Sequence, residues 1–317
     1  MTAEPGIDRP SDIKNIASQF AGATLASPEL LRGTDRADTV RILPDAAVVK
    51  IGAQSIIDRG RSAVYPIVEE LGENSKHTKI IIGVGAGTRA RHIYDLGSDL
   101  GLPTGLLAIL GAGISEQNAL MISTLMGKYN AIRVNKQQFD EFPLYLNAGS
   151  PIILTGMPSY HWWEPPPRVG RLPEYRTDTG VYLVAEVFGC RDMIYIKDED
   201  GLFTNDPKKD PHAEFIPKIS AKELQRRDLD DLVVERRVIE LMPRARHARR
   251  IQVINGLKPG NITRALRGEH VGTIITADEE CPLSPGPFPP LRREKGEKDG
   301  DNRGTQLLKG NPSNAHN

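Results

Sequence analysis

The chain has 317 residues, and its 41 Lys and Arg balance 41 Asp and Glu. A net charge of zero gives no global field that would draw in nucleic acid or an anionic membrane, so any basic recognition must be local. With 39% hydrophobic residues the chain can bury a sizeable core, and its two cysteines, Cys190 and Cys281, make neither a disulfide framework nor a zinc-ligand spacing.

The N-terminus lacks a basic start followed by a long apolar run, and no apolar stretch approaches the ~20 residues of a membrane span. The expectation is a soluble, cytoplasmic protein with no nucleic-acid or membrane partner. The length is long for one domain and short for two large ones.

Residues 1–38 are mixed in character, with helical hints at Ile13–Phe20 and Ala26–Leu31, and read as an N-terminal arm. From Arg41 the texture changes. "RILPDAAVVKIG" reads as a strand with a glycine stop, and "RGRSAVYPIVEELG" as a helix with Pro66 inside it. "KIIIGVGAG" is a short apolar strand ending in glycines, and "SEQNALMISTLMGKY" a helix with Ser115 and Gln117–Asn118 near its start. "SPIILTG" is a buried strand, "DTGVYLVAEVFG" a helix with a glycine end, and "DMIYIKD" a further strand. "RRVIELMPRARHARR" reads as a helix interrupted near Pro243, its arginines mostly a solvated face. "IQVING", "GNITRALRG" and "GTIIT" complete the order as strand, short helix and strand.

Apolar strands alternating with helices predict an α/β fold, a mostly parallel central sheet sandwiched between helices. The expected domain runs from 39 to 277. Beyond it, 278–317 is rich in Pro, Gly and charge and buries too little apolar surface to offset chain entropy, so it reads as a disordered tail.

Two strands end in glycine turns: Lys50-Ile51-Gly52-Ala53, and Gly83 to Gly87 followed by Thr88-Arg89. Such turns let backbone N–H groups approach phosphate at the positive end of a helix, although tight strand-to-helix turns use glycine anyway. Lys50 adds a point charge. Gly85-x-Gly87-x-x-Ala90 formally fits a dinucleotide fingerprint, but the acid expected about 20 residues on is absent from "LPTGLLAILGAG". The Walker pattern is absent as well.

In chain order, Lys50-Ile-Gly, the second glycine turn, "RTDTGVYLVAEVFG", "KDEDGLFTNDPKKDP" and "NGLKPGNITRALRGEHVGTIIT" resemble the amino acid kinase superfamily, with uridylate kinases as close relatives. The likeness covers roughly 40–277. It implies that family's three-layer fold and an ATP site. By the resemblance, Lys50 matches the lysine that stabilises the phosphoryl group in flight, and Gly52, Gly83, Gly85 and Gly87 line the phosphates. Asp178 matches the aspartate of the "TDT" segment, a candidate for holding Mg2+ or orienting the lysine; its bland reading is a helix cap. Lys197, Asp198, Asp200, Gly201, Phe203, Asn205, Asp206 and Lys208 match the nucleotide loop, with Phe203 walling the base; the bland reading there is a β-hairpin turn.

"VVKIGAQSIIDRGRSAVYP", "GAGTRARH", "YRTDTG" and "GEHVGTIIT" are similar, more narrowly, to the molybdenum storage family, to its beta type more than its alpha type. That likeness implies ATP and Mg2+ binding and a heterohexameric cage with an alpha-type partner. It also implies molybdate or tungstate stored as polyoxometalate clusters, with ATP hydrolysis linked to filling. Arg89, Arg91, His92, His161 and Glu164 are the oxyanion or cluster candidates, since arginines suit a tetrahedral dianion. Surface charge and subunit packing are the plainer alternatives.

Ala53 stands where relatives have a second glycine, which counts against phosphoryl transfer more than against binding. The long aromatic and Pro-rich segment between "TGMP" and "YRTDT" also departs from uridylate kinases. A uridylate kinase-like small-molecule kinase and a purely structural nucleotide-binding subunit therefore remain alternatives.

Overall fold

A computed structural model of the chain describes residues 18, 20–35, 38–156, 163–229 and 232–278. The tail from 279 onward, most of the Ile13–Phe20 segment and His161 lie outside the described residues.

In chain order the elements are α1 (Pro28–Arg32), β1 (Ala46–Ile51), α2 (Arg61–Ser75), β2 (Lys79–Val84), α3 (Thr88–Asp99) and α4 (Thr104–Leu125). There follow β3 (Ile132–Arg133), α5 (Phe142–Asn147), β4 (Ile152–Thr155), α6 (Thr177–Phe188), β5 (Asp192–Lys197), β6 (Leu202–Phe203) and β7 (Phe215–Ile216). The chain then runs through β8 (Lys218–Ser220), α7 (Ala221–Arg227), α8 (Arg236–Leu241), β9 (Arg250–Asn255), α9 (Asn261–Leu266) and β10 (Thr273–Thr276).

Eight strands form one sheet in the order β3-β4-β2-β1-β5-β9-β10-β8. Pairing is parallel from β3 to β9; β10 runs antiparallel to β9, and β8 lies parallel to β10. The mostly parallel three-layer α/β architecture is therefore as expected. β1 is buried along its whole length, because helices cover both sheet faces. Side chains alternate between those faces. Ala46, Val48, Met193 and Tyr195 pack with Val181 and Tyr182 of α6. Ala47, Val49, Ile194 and Ile196 pack on the opposite side, with Ile67 of α2 and Ile262 of α9.

As expected, α2 runs through Pro66, with Ala63, Val64, Ile67, Val68 and Leu71 keeping a helical stripe buried. Other local expectations need correction. α4 begins at Thr104, not near Ser115, so "LPTGLLAILGAG" supplies half a helix and no strand. At 22 residues α4 is also long and apolar enough to cross a membrane by length and composition, contrary to the expectation that no stretch approaches a span. It packs against α3, β2 and β4 as a layer of this fold. After Pro243 the basic run is no helix: α8 ends at Leu241 and one 3-10 turn covers Met242–Arg244. Its arginines form ion pairs, Arg236 with Asp228, Arg237 with Glu174 and Glu240, Arg246 with Asp35, and Arg249 with Asp278.

Candidate functional site

Strand register assembles the site. Lys50 shares the side of Ala46 and Val48, and its neighbour across to β5 is Tyr195, two residues before Lys197. Alternation therefore sends Lys50 and Lys197 to the same face, toward α6. Asp178 stands in the first turn of α6 and meets both. One carboxylate oxygen ion-pairs with Lys50; the other lies 3.1 Å from Lys197 Nζ and accepts the Glu235 N–H at 3.3 Å. The Tyr195 hydroxyl donates to the Asp178 carbonyl at 2.9 Å, which ties the strand to the helix end. Lys50 and Asp178 are both only 4% exposed.

Burial by itself would push the Asp178 carboxyl up, but Lys197 and Lys50 outweigh it and hold the group well below the usual carboxylate range. Burial pushes the Lys197 ammonium down; Asp178 opposes that shift and Lys50 adds to it. Two cations on one carboxylate leave a surplus positive charge at the sheet edge, which suits a phosphate anion. The same geometry does not suit Asp178 as a Mg2+ ligand, because both of its oxygens are committed to ammonium groups. Among the described residues, no cluster of three or more His, Cys, Asp or Glu side chains is placed to hold a metal ion.

The cleft above this cluster encloses about 1090 Å³. Of the expected residues it brings together Lys50, Gly52, Gly85, Gly87, Asp178, Lys197, Asp198, Lys208 and Arg91 along its walls. A Cβ at Gly85 would lie 3.1 Å from both Lys50 Nζ and the Ala53 nitrogen, so the glycine keeps the cradle beside the lysine open. Ala53 is buried there without a positive φ, so the methyl costs space and not backbone strain. Gly87, at φ +76, lets the Asp58 carboxylate come close enough to accept the Thr88 N–H at 2.8 Å.

Other expected residues are placed elsewhere. Gly83 packs under α6, where a Cβ would lie 2.2 Å from Val181, and it does not reach the cleft. Arg89 is tied to Gln117 and Asn118 of α4, and His92 is exposed beyond the cleft wall. Glu164 accepts the Tyr175 N–H at 3.0 Å, and burial raises its pKa; it stays outside the cleft. The nucleotide-loop segment folds as an excursion closed by β6 pairing with β7 across residues 204–214. The bland reading of a β-hairpin turn at Glu199-Asp200-Gly201 does not hold, since β5 and β6 on either side of it do not pair. Phe203 packs edge-on to Phe215 at 5.5 Å, Asp200 binds Lys258, Asn205 donates to Asp210 and Asp206 pairs with Lys209. With Gly201, which turns against Thr273, these five lie off the cleft wall.

Sequence reasoning missed Asp58, Arg59, Tyr94, Arg176 and Glu235. Arg59, Tyr94, Arg176 and Glu235 line the cleft, and Arg59 pairs with Asp198 at 2.5 Å. Glu235 accepts the N–H groups of Arg176, Asp178 and Thr179 at 3.0–3.2 Å and the Thr179 hydroxyl at 2.7 Å. Asp58 and Arg59 fall inside "VVKIGAQSIIDRGRSAVYP" and Arg176 inside "YRTDTG", segments that carry the family likeness without assigning these residues a role; Tyr94 and Glu235 fall in no such segment.

Residues 45–257 match the amino acid kinase family. The chain is 50% identical over 254 residues to the molybdenum storage protein subunit beta of Azotobacter vinelandii, covering 80% of this chain and 94% of that one. It is 30% identical over 244 residues to the uridylate kinase of Thermofilum pendens, covering 73% of this chain and 97% of that one. The crystal structure of UMP kinase from Bacillus anthracis superposes with a TM-score of 0.60 at 20% identity, over 74% of this chain and 97% of that one. With its lysines and glycine turns gathered at the edge of such a sheet, the chain belongs to the amino acid kinase family.

Proposed function

We propose that this chain is the ATP-binding subunit of a molybdenum- or tungsten-storing assembly, with ATP hydrolysis linked to loading. The observation that carries the nucleotide part is the buried Lys50–Asp178–Lys197 cluster beneath a cleft edged by two glycine turns. The storage part rests on the 50% identity to a storage-protein beta subunit. That name also suggests an alpha-type partner for this chain, in a mixed oligomer holding oxide clusters.

In this reading the two ammonium groups attract the phosphates, and Asp178 keeps both aimed at one point. Gly52 and Gly85 leave room for phosphate oxygens near the strand ends. Arg91 and Arg176, which also line the cleft, add positive charge where an oxyanion would sit. Lys50 and Asp178 are buried at the floor of the cleft, where weak screening strengthens their interactions.

The test uses the chain purified with an alpha-type partner subunit. Molybdenum or tungsten should stay with the protein on gel filtration after incubation with ATP and Mg2+, and not after incubation without ATP. Equal retention in both cases would remove the energy coupling. Rapid ADP release dependent on UMP would replace the storage reading with a kinase one.

A further inference from the structure

Glu235 precedes α8, yet its carboxylate leaves that helix to close the N-terminus of another. α6 has no side-chain cap of its own, and Arg176 at its N-cap position turns its guanidinium to Glu235, with Nε 3.9 Å from the carboxylate. Three of its first backbone donors and one hydroxyl converge on Glu235 instead. The bonding is reciprocal: Asp178 N–H donates to Glu235 at 3.0 Å, and Glu235 N–H donates to Asp178 Oδ2 at 3.3 Å. The Glu235 side chain is only 10% exposed, so these donors have little water to turn to.

Two other helices are closed by a carboxylate from a distant segment. Asp58 accepts the Thr88 N–H of α3, and Glu70 accepts the N–H groups of Gly260 and Thr263 at α9. A negative group at the positive end of a helix stabilises any of the three. Glu235 differs in bonding to Asp178, the residue that holds both lysines. The Asp178 backbone is fixed by Glu235, its side chain is bridged by Lys50 and Lys197, and one of its oxygens accepts from Glu235 again. The segment that carries Glu235 also walls the cleft through Leu232, Val233, Val234 and Arg236.

We infer that Glu235 is the positioning residue of the nucleotide site: it sets Asp178, and through Asp178 the two lysines, while linking the cleft wall before α8 to the phosphate end. This inference rests on the nucleotide reading of the cleft. Because Glu235 takes three N–H groups of the α6 terminus and brings negative charge to it, phosphate binding falls chiefly to the lysines.

The experiment compares Glu235→Ala and Glu235→Gln with Glu70→Ala, which removes the same kind of cap far from Asp178. ATP affinity is measured by calorimetry on the full chain. Acetylation of Lys50 and Lys197 by acetic anhydride, read by mass spectrometry, is measured on the ligand-free protein. Glu235→Ala should weaken ATP binding by at least about tenfold and raise labelling of both lysines severalfold. Added acetate, which can refill the emptied carboxylate position, should restore part of each. Glu235→Gln keeps one acceptor oxygen and should fall between, which decides the matter if the alanine variant does not fold. Glu70→Ala should lower the melting temperature and leave ATP affinity and lysine labelling as in the wild type. If the Glu235 variants match Glu70→Ala in both readouts, the positioning role is wrong and Glu235 is only a cap. Wild-type protein that fails to bind ATP overturns the nucleotide reading instead, and the labelling then decides on Glu235 by itself.

Discussion

The Lys50–Asp178–Lys197 cluster and the acidic excursion after β5 use the same residue types in opposite settings. In the cluster, each carboxylate oxygen meets an ammonium inside the sheet edge, where screening is weak. In the excursion, Asp200 pairs with a Lys258 that is 59% exposed, and Asp206 with a Lys209 that is 81% exposed. Such surface pairs contribute about 0–1 kcal/mol each. The stretch that is densest in charge is thus the weaker electrostatic feature. The strong one is built from single residues far apart in the chain.

The sharpest way to break this contrast is Asp178→Ala. It strands two ammonium groups in a buried site, for which a loss of about 3–5 kcal/mol is expected. Urea unfolding at neutral pH should show that loss, and calorimetry should show loss of ATP binding. A penalty no larger than that of a surface pair would dissolve the distinction.

Gly83→Ala comes next. Its Cβ would press on Val181 at 2.2 Å, so overpacking should cost about 1–3 kcal/mol. Because Gly83 stays off the cleft, ATP affinity of the folded variant should match the wild type. A selective loss of affinity would return Gly83 to the phosphate-binding set.

The pH response sharpens the contrast further. Asp178 is held low in the folded state, so its contribution is complete above the unfolded carboxylate value of about 4 and is lost only as acid protonates the folded group. Lys197 is also lowered, but it is a base. Between its folded value and the ordinary 10.5, the unfolded chain binds more protons, so stability should rise with pH through that window. Denaturant midpoints measured from neutral to alkaline pH should show the rise, and Lys197→Met should flatten it. The smallest effect belongs to Asp200→Asn, at most about 1 kcal/mol and smaller still in high salt.

Much of the fold was legible because its main strands are apolar runs that stop at glycine, as in β1, β2 and β9. β3, β6 and β7 have two residues each, too few to show any alternation. The first half of α4 was illegible for another reason. "TGLLAILGAG" is apolar on every side, so helical spacing leaves no polar stripe to read. In the site, family likeness singled out Lys50, Asp178 and Lys197, and all three converge. It also pointed to Gly83 and Phe203, whose work is packing against Val181 and Phe215.

Local chemistry in the chain was enough to mark most of the longer strands and helices and to imply that the sheet is buried on both faces. Those properties follow from side-chain period and turn sterics acting over a few residues. What only the folded molecule decided is which carboxylate faces which cation. Asp178 could have capped its own helix or bound a metal; register between β1 and β5 delivers two lysines to it, and the return of the chain before α8 hands the cap to Glu235. Charge pairing depends on distance in space, and strand order, not sequence order, sets that distance.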